Sequence, residues 1–401
     1  PNQPGDTFPS KHLAGVGVVF YLLAALRARL RDLGWFGPER QVPNLADFLD
    51  LVALGTVADV VTLDLNNRIL VERGLKRIRS SQGNPGIRAL LTVSGCDPNR
   101  AVARDLGFQA GPRLNAAGRL EDMSLGVECL LTDDPDRALA IARQLDELNR
   151  RRREIENDMK QEAEAALAAL HLEAGGLPPA LCLFEPGWHQ GVIGILAARV
   201  RERWHRPAIA FAPGDEGLLR GSARSVEGLH IRDLIDAVDK RYPGLIVRFG
   251  GHAMAAGLTL AEAALEPFRQ AFCQAVRDEL GDAPLVREIL SDGELPPQAF
   301  DLATAQALRH AGPWGKGFPE PLFDGIFRVL GRKRLGNGEH LRLHLRAENG
   351  VGLPIEGIGF RRGDQHDGAG DRVRLAYRLD VNEFRGEFKP QLILEHLEWI
   401  E

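Results

Sequence analysis

The chain has 401 residues, 44% of them apolar and 26% charged, which makes it a folded protein longer than one hydrophobic core usually serves. Its formal net charge of −5 excludes a molecule that is basic all over, so any affinity for nucleic acid must come from how its 50 basic residues, only seven of them lysine, are distributed. Cys96, Cys129, Cys182 and Cys273 stand far apart with no C-x-x-C pair, and no apolar run reaches a membrane span, which argues against a disulfide framework, a structural zinc site and a membrane protein and points to the cytoplasm.

The first thirty residues open on proline and pass from a polar loop into an apolar helix at about Leu13, as the middle of a longer polypeptide would. From there to about Pro135 the pattern is mostly helical, broken by Gly, Pro and Asn. Within LGTVADVVTL, Asp59 is the single acidic group in an apolar or small run. A carboxylate so placed is held by hydrogen bonds, an arginine or a metal ion, or else it caps a helix end. GPRLNAAGRL sets Arg113, Asn115 and Arg119 among small residues. It reads as a loop suited to a phosphate oxygen or as a surface turn with ordinary arginines.

One long helix is expected from 135 to 176, with Ile141, Leu145, Leu148 and Ile155 at helical spacing and Gly175 and Gly176 as its stop. At 1.5 Å per residue it spans on the order of 50 Å, a strut whose Arg150 to Arg153 run is a solvated flank or a phosphate track. After Pro178 short apolar strands alternate with helices, an α/β pattern. PGWHQGV places His189 and Gln190 just before a glycine-led helix, where free N–H groups and the helix dipole favour an anion, unless these residues only cap the helix. In LRGSARSVEG, strand alternation puts Ser222 and Arg224 on one face, able to grip one phosphate, with Ser225 next in line. RFGGHAMAAGL strips the bulk from around His252, behind Gly250 and Gly251. That stretch is a tight turn with a buried histidine, or a place where phosphate or base presses against backbone. From about Glu294 five strand-like runs follow, the number an OB-type barrel needs.

Taken in order, FPSKHLAGVGV, LGTVADVV, GPRLNAAGRL, WHQGVIGILAARV, GSARS, FGGHAMAAGLTL, PWGKGFPEPLF, and VNEFRG with PQLILE resemble the RecJ family of single-strand-specific 5′ to 3′ DNA exonucleases, in the DHH phosphoesterase superfamily. The resemblance covers essentially the whole chain. It implies an α/β multidomain protein: the C-terminal part of a truncated DHH α/β domain (1–134), the long connecting helix (135–176), a DHHA1-type α/β domain that binds nucleic acid (177–284) and a C-terminal OB-fold β-barrel (285–401). It also implies two Mn²⁺ or Mg²⁺ ions, yet the chain has no D-H-H triplet, and of the family's metal ligands only Asp59 can be carried over.

By the same resemblance Asp59 and His252 are catalytic, with His252 on the scissile phosphate, and Ser222 and Arg224 take the 5′-phosphate. Arg113 and Gln190 take the DNA backbone, with Asn115, Arg119, His189, Ser225, Gly250 and Gly251 also lining the substrate path. The barrel is expected to hold single-stranded DNA through residues such as Arg332, Lys333, Arg334 and Phe384. The implied setting is DNA repair and recombination, as a monomer working with a single-strand-binding protein and a repair helicase. With most metal ligands missing, the chain by itself is expected to bind DNA weakly and to be close to inactive. Two other readings stay open: a non-catalytic single-stranded-DNA-binding module, and a DHH/DHHA1 phosphodiesterase acting on short oligonucleotides or cyclic dinucleotides.

Overall fold

The computed structural model describes residues 3, 5–120, 122–169, 178–281, 285, 288–336, 338–348, 352–368, 370–384 and 386–400, with the side chains of 119, 120, 156, 159, 160 and 162–169 outside the description. The end of the expected long helix, 170–176, and the expected domain edge at 284 thus lie outside the described residues, as does the side chain of Arg119. The chain forms two compact units, residues 1–150 with 289–401, and residues 151–288.

The first unit begins with helices α1 (Gly15–Asp32), α2 (Leu49–Ala58), α3 (Leu65–Arg79), α4 (Pro85–Val93), the single turn α5 (Ala103–Asp105), α6 (Gly111–Leu120) and α7 (Ser124–Leu131). Local chemistry sets their starts: Asp64 accepts the Asn67 N–H at the head of α3 (2.9 Å), and Asn84 accepts the Ile87 N–H at the head of α4, with Pro85 in the first turn. Their apolar sides close a core of Leu54, Leu75, Ile78, Ile87, Leu90 and Leu106. Helix α8 (Pro135–Ala169) enters this core through Ile141, Ala142 and Leu145, positions with helical spacing and no exposure. The stretch GPRLNAAGRL is not the loop its glycines suggest. It is α6 itself, entered through a π-helical turn, Leu106–Ala110, and its small residues Ala116 and Ala117 are buried by close helix packing.

The second unit is a five-stranded sheet in the order β1-β2-β3-β5-β4, with β1 (Leu181–Phe184), β2 (Ala208–Pro213), β3 (Leu218–Arg224), β4 (Arg248–Gly251) and β5 (Ala255–Ala261). Only β1 and β2 are parallel, joined by helix α9 (Ile193–Trp204). Helices α10 (Ile231–Arg241) and α11 (Leu265–Leu280) pack on one face, against Ile209, Phe211, Ala223 and Leu258. Helix α9 packs on the other face, against Ala208, Ala210 and Ala212 of β2.

The chain then returns to the first unit with α12 (Leu302–Ala311) and the strands β6 (Phe323–Leu335), β7 (His340–Ala347), β8 (Ile355–Gly359), β9 (Arg372–Phe384) and β10 (Glu387–Ile400), which close a barrel in the order β10-β8-β7-β6-β9. Alternate residues fill it: Leu341, Leu343 and Leu345 from β7, and Val373, Leu375, Tyr377 and Leu379 from β9. Between α12 and β6 the turn Pro313–Phe318 reaches the helical layer, where Phe318 packs on the core and the Lys316 carbonyl accepts the Leu63 N–H at 2.7 Å. Arg100 pairs with Glu383 and Arg104 with Asp380, both at 3.0 Å, so helices and barrel also meet through ion pairs.

Candidate nucleic-acid interface

In the second unit the site is built on strand β3. Leu219, Gly221 and Ala223 face the α10/α11 side and are buried, so alternation turns Arg220, Ser222 and Arg224 to the other face. There the Arg224 Nη1 donates to Ser222 Oγ at 3.2 Å and to the Ala223 carbonyl at 2.9 Å. Gly194, in the first turn of α9, lies directly over the pair: a Cβ at Gly194 would sit 3.3 Å from Arg224 Nη2 and 3.4 Å from Ser222 Oγ. The absent side chain leaves a gap bounded by a guanidinium, a hydroxyl and the first turn of a helix, whose dipole favours an anion although the Ile195 N–H already donates to the Val192 carbonyl at 3.0 Å.

Burial lowers the Arg224 pKa, and the nearby Arg201 cation lowers it further, yet no carboxylate pairs with Arg224 among the described residues. A partly desolvated cation beside a like charge is stabilised by an incoming anion.

Helix α9 covers only part of this face. Across the sheet Ser222 is paired with Gly257, and Gly257 with Gly250. Both glycines are exposed, and a Cβ at Gly250 would meet nothing within 4 Å. The parallel row, Arg220, Thr259 and Arg248, supplies two further guanidiniums. The result is a bare glycine floor with basic side chains along it.

Gly251 has a different task. Its φ is +151°, and a Cβ would come within 2.5 Å of the Ala255 oxygen, so only glycine closes this hairpin. The turn carries His252, whose N–H donates to Ala255 O (2.8 Å), and it is tied down where Met254 O accepts from Ser225 N–H and Ala253 O from Ile231 N–H. His252 is exposed rather than buried, on the turn next to the Arg224 end of β3. The loop ahead of α9 is also held: Trp188 is buried, His189 Nδ1 accepts the Gly191 N–H at 3.2 Å, and Gln190 donates to the Pro213 carbonyl at 3.0 Å.

Several expected contacts are already occupied. Ser225 is fully buried and donates to Leu229 O at 2.7 Å, so it anchors the turn after β3 and does not line the gap. Arg113, 5% exposed, forks onto Asp146 of α8 through Nε and Nη2, both at 2.8 Å, while Nη1 donates to the Gln109 carbonyl. A buried guanidinium needs such partners, and few donors are left for DNA. Asn115 is exposed on α6. On the barrel, Arg332 donates to the carbonyls of His366 and Gly368 and lies 4.9 Å from the Trp399 ring centroid. Arg334 donates to Gly363 O, so both arginines fasten the segment before β9. Lys333 and Phe384 are exposed.

In the first unit Asp59 lies at a helix end, one of the two readings its sequence allows, and is not a buried carboxylate. It is exposed at the C-terminal end of α2, and the buried aspartate of that helix is Asp50, paired with Arg77 at 3.4 Å. A negative charge at a helix C-terminus opposes the helix dipole by about 0.3–1 kcal/mol, and a bound cation there relieves it. This suits one oxygen ligand of a hard divalent ion. No group of three His, Cys, Asp or Glu residues that could hold a metal ion is present among the described residues, so they do not complete a metal centre.

The domain models agree with this architecture: the DHHA1 domain matches residues 177–278, and the RecJ OB domain matches 291–396. The chain is therefore a DHH-superfamily protein in which a DHHA1 domain is followed by an OB barrel. It is 54% identical over 401 residues to the single-stranded-DNA-specific exonuclease RecJ of Dickeya dadantii, covering 99% of this chain and 69% of that protein. Crystal structures of RecJ from Thermus thermophilus superpose on 98% of the chain, the Mg²⁺ complex with a TM-score of 0.72 at 30% identity and the Mn²⁺ complex with 0.73 at 31%. The chain belongs to the RecJ family. It spans 57% and 54% of those two solved chains.

Proposed function

We propose that this chain is the strand-gripping part of a 5′ to 3′ exonuclease specific for single-stranded DNA. The observation that carries this is the gap under Gly194, where Ser222 and Arg224 converge with the first turn of α9. Phosphate oxygens entering it accept from the guanidinium and the hydroxyl, beside the positive end of the α9 dipole. The glycine floor and the Arg220 and Arg248 row then carry the nucleotides that follow, and His252 stands at the end of the floor to donate to a phosphate oxygen. His189 and Gln190 hold the loop that sets α9. Arg113 and Ser225 act as scaffold, whereas the side chains of Asn115 and Arg119 keep the substrate-lining role implied by the family.

The working division is the one read from the sequence: 1–134, the helix 135–176, 177–284 and 285–401. Mn²⁺ or Mg²⁺ supplies the water-activating and charge-stabilising chemistry when bound. Asp59 is one of its ligands. No described helix is long and apolar enough to cross a membrane. We place the protein in the cytoplasm, in DNA repair and recombination, with a single-strand-binding protein and a repair helicase as partners.

The deciding experiment compares Ser222→Ala and Arg224→Ala with the unaltered full-length protein on strands ending in 5′-phosphate or 5′-hydroxyl. The expected result is loss of the preference for phosphate with little change on 5′-hydroxyl ends. Equal losses on both ends would remove this gap from end recognition.

A further inference from the structure

We propose that the Pro313–Phe318 turn, which joins α12 to the barrel, is a positioning element for Asp59. This rests on the reading of Asp59 as a cation ligand. The turn PWGKGF stands out in the sequence, yet no part of the phosphate grip uses it.

Part of its surface meets Thr62 and Leu63, in the segment that follows Asp59. Helix α2 stops when Val60 takes a φ of +53°, a left-handed conformation that a β-branched residue adopts only under constraint, at a cost of order 1–3 kcal/mol. Something must hold that turn. On one side it is Asn67, fully buried, which donates to the Thr62 carbonyl at 2.9 Å and to the His12 carbonyl at 2.8 Å.

On the other side it is the 313–318 turn. Lys316 O accepts the Leu63 N–H at 2.7 Å, so the lysine contributes through its backbone. The two glycines permit the approach: a Cβ at Gly315 would be 2.7 Å from Leu63 Cδ1, and one at Gly317 would be 2.5 Å from Thr62 Cγ2. Gly317 also has a φ of +74°.

The turn is itself rigid. Gly315 and Phe318 exchange two backbone hydrogen bonds, Trp314 stacks on Phe318 with centroids 5.0 Å apart, and Trp314 Nε1 donates to Leu308 O at 2.9 Å. The Arg68 guanidinium, from α3, lies 3.9 Å from the Phe318 ring centroid and closes the clamp. The segment that leaves Asp59 is thus gripped at Thr62 and Leu63 between Asn67 and a loop rooted in the barrel domain, while Asp59 itself closes α2 through its N–H to the Gly55 carbonyl at 3.0 Å. Because the chain runs on from this turn into β6, the barrel and the segment that follows Asp59 are linked by a short path through Phe318 and the Leu63–Lys316 hydrogen bond.

The test uses the full-length protein with three substitutions: Asp59→Asn, Gly317→Ala and Lys316→Ala. Mn²⁺ binding is measured by titration calorimetry, single-strand affinity is measured without metal, and amide hydrogen exchange is followed over residues 59–64. Gly317→Ala is expected to weaken Mn²⁺ binding by up to about ten-fold, the low end of what loss of an outer-shell partner costs because the turn touches Thr62 and Leu63 and not Asp59, and to speed exchange at Leu63. Metal-free DNA affinity stays unchanged, and Lys316→Ala behaves as the unaltered protein. If exchange rises but Mn²⁺ binding does not change, the turn is only scaffold and the proposal is wrong. If Lys316→Ala matches Gly317→Ala, the side chain is the active group and the backbone clamp is refuted. If Asp59→Asn leaves Mn²⁺ binding intact, the ligand reading itself fails, and the proposal with it. Should Gly317→Ala not fold, Gly315→Ala reads the same clamp through a milder contact, with the same expected and opposing outcomes.

Discussion

Gly194→Ala separates binding from stability in the proposed phosphate gap. Its methyl group would stand 3.3 Å from Arg224 Nη2 and 3.4 Å from Ser222 Oγ, in the space a phosphate oxygen must occupy to accept from both. Hydrogen bonds to a charged group contribute about 1.5–3 kcal/mol each, so losing two removes at most about 3–6 kcal/mol. Arg224 is only half-buried and can shift toward the strand, which brings the expected loss to about 2–3 kcal/mol, or roughly a hundred-fold in affinity. The fold should not suffer, because the methyl meets the mobile end of an arginine and alanine is favoured over glycine in a helix by up to about 1 kcal/mol. Equilibrium binding of 5′-phosphorylated and 5′-hydroxyl strands at one fixed salt concentration, together with the thermal midpoint, reads both quantities. A folded variant that still prefers the 5′-phosphate by the original factor would show that the phosphate does not enter between Gly194, Ser222 and Arg224.

Three further outcomes are expected. Arg113→Ala removes the half of the pair that is buried and leaves the part-exposed Asp146 to water, so it should destabilise the protein by about 1–3 kcal/mol in urea unfolding, with Arg113→Lys recovering only part because one ammonium cannot fork onto the carboxylate and the Gln109 carbonyl together; an unchanged midpoint would contradict a structural role for this guanidinium. Burial pushes the Cys129 thiol up to about 11, above its value in the unfolded chain, so its contribution to stability is full below about pH 9 and is lost as pH rises through about 11. Replacing Cys129 by alanine should flatten that alkaline decline in a melting series, and an unchanged slope would assign it to other groups. Deleting residues from Ile289 onward removes the 313–318 clamp along with the barrel, so it should speed hydrogen exchange across α2 and α3 as well as weaken binding to long single strands; protection unchanged in those helices would mean that the helical layer stands alone.

Much of the proposed grip was legible in the sequence because it depends on local periodicity. Alternation along LRGSARS alone puts Ser222 and Arg224 side by side, the five apolar runs after Glu294 are the five barrel strands, and the RFGGH stretch announces a hairpin whose closure requires Gly251. What chemistry remained to each side chain was decided by tertiary contacts. Arg113 and Arg224 look alike as sequence, yet a carboxylate on α8 consumes the first, while the second meets only a hydroxyl, a carbonyl and another cation. Strand register brings Arg248 and Gly250 onto the Ser222 face from a distant segment, and no spacing rule within one strand reveals that pairing. Asp59 sits in an apolar run that reads either as a held, buried carboxylate or as a helix end; the helix stops there, with Val60 left-handed, and the carboxylate is in solvent at the end of α2. Local sequence determined which groups share a face, because strand and helix periods are backbone properties; which groups stay free to bind was decided only when segments far apart in the chain supplied, or withheld, their partners.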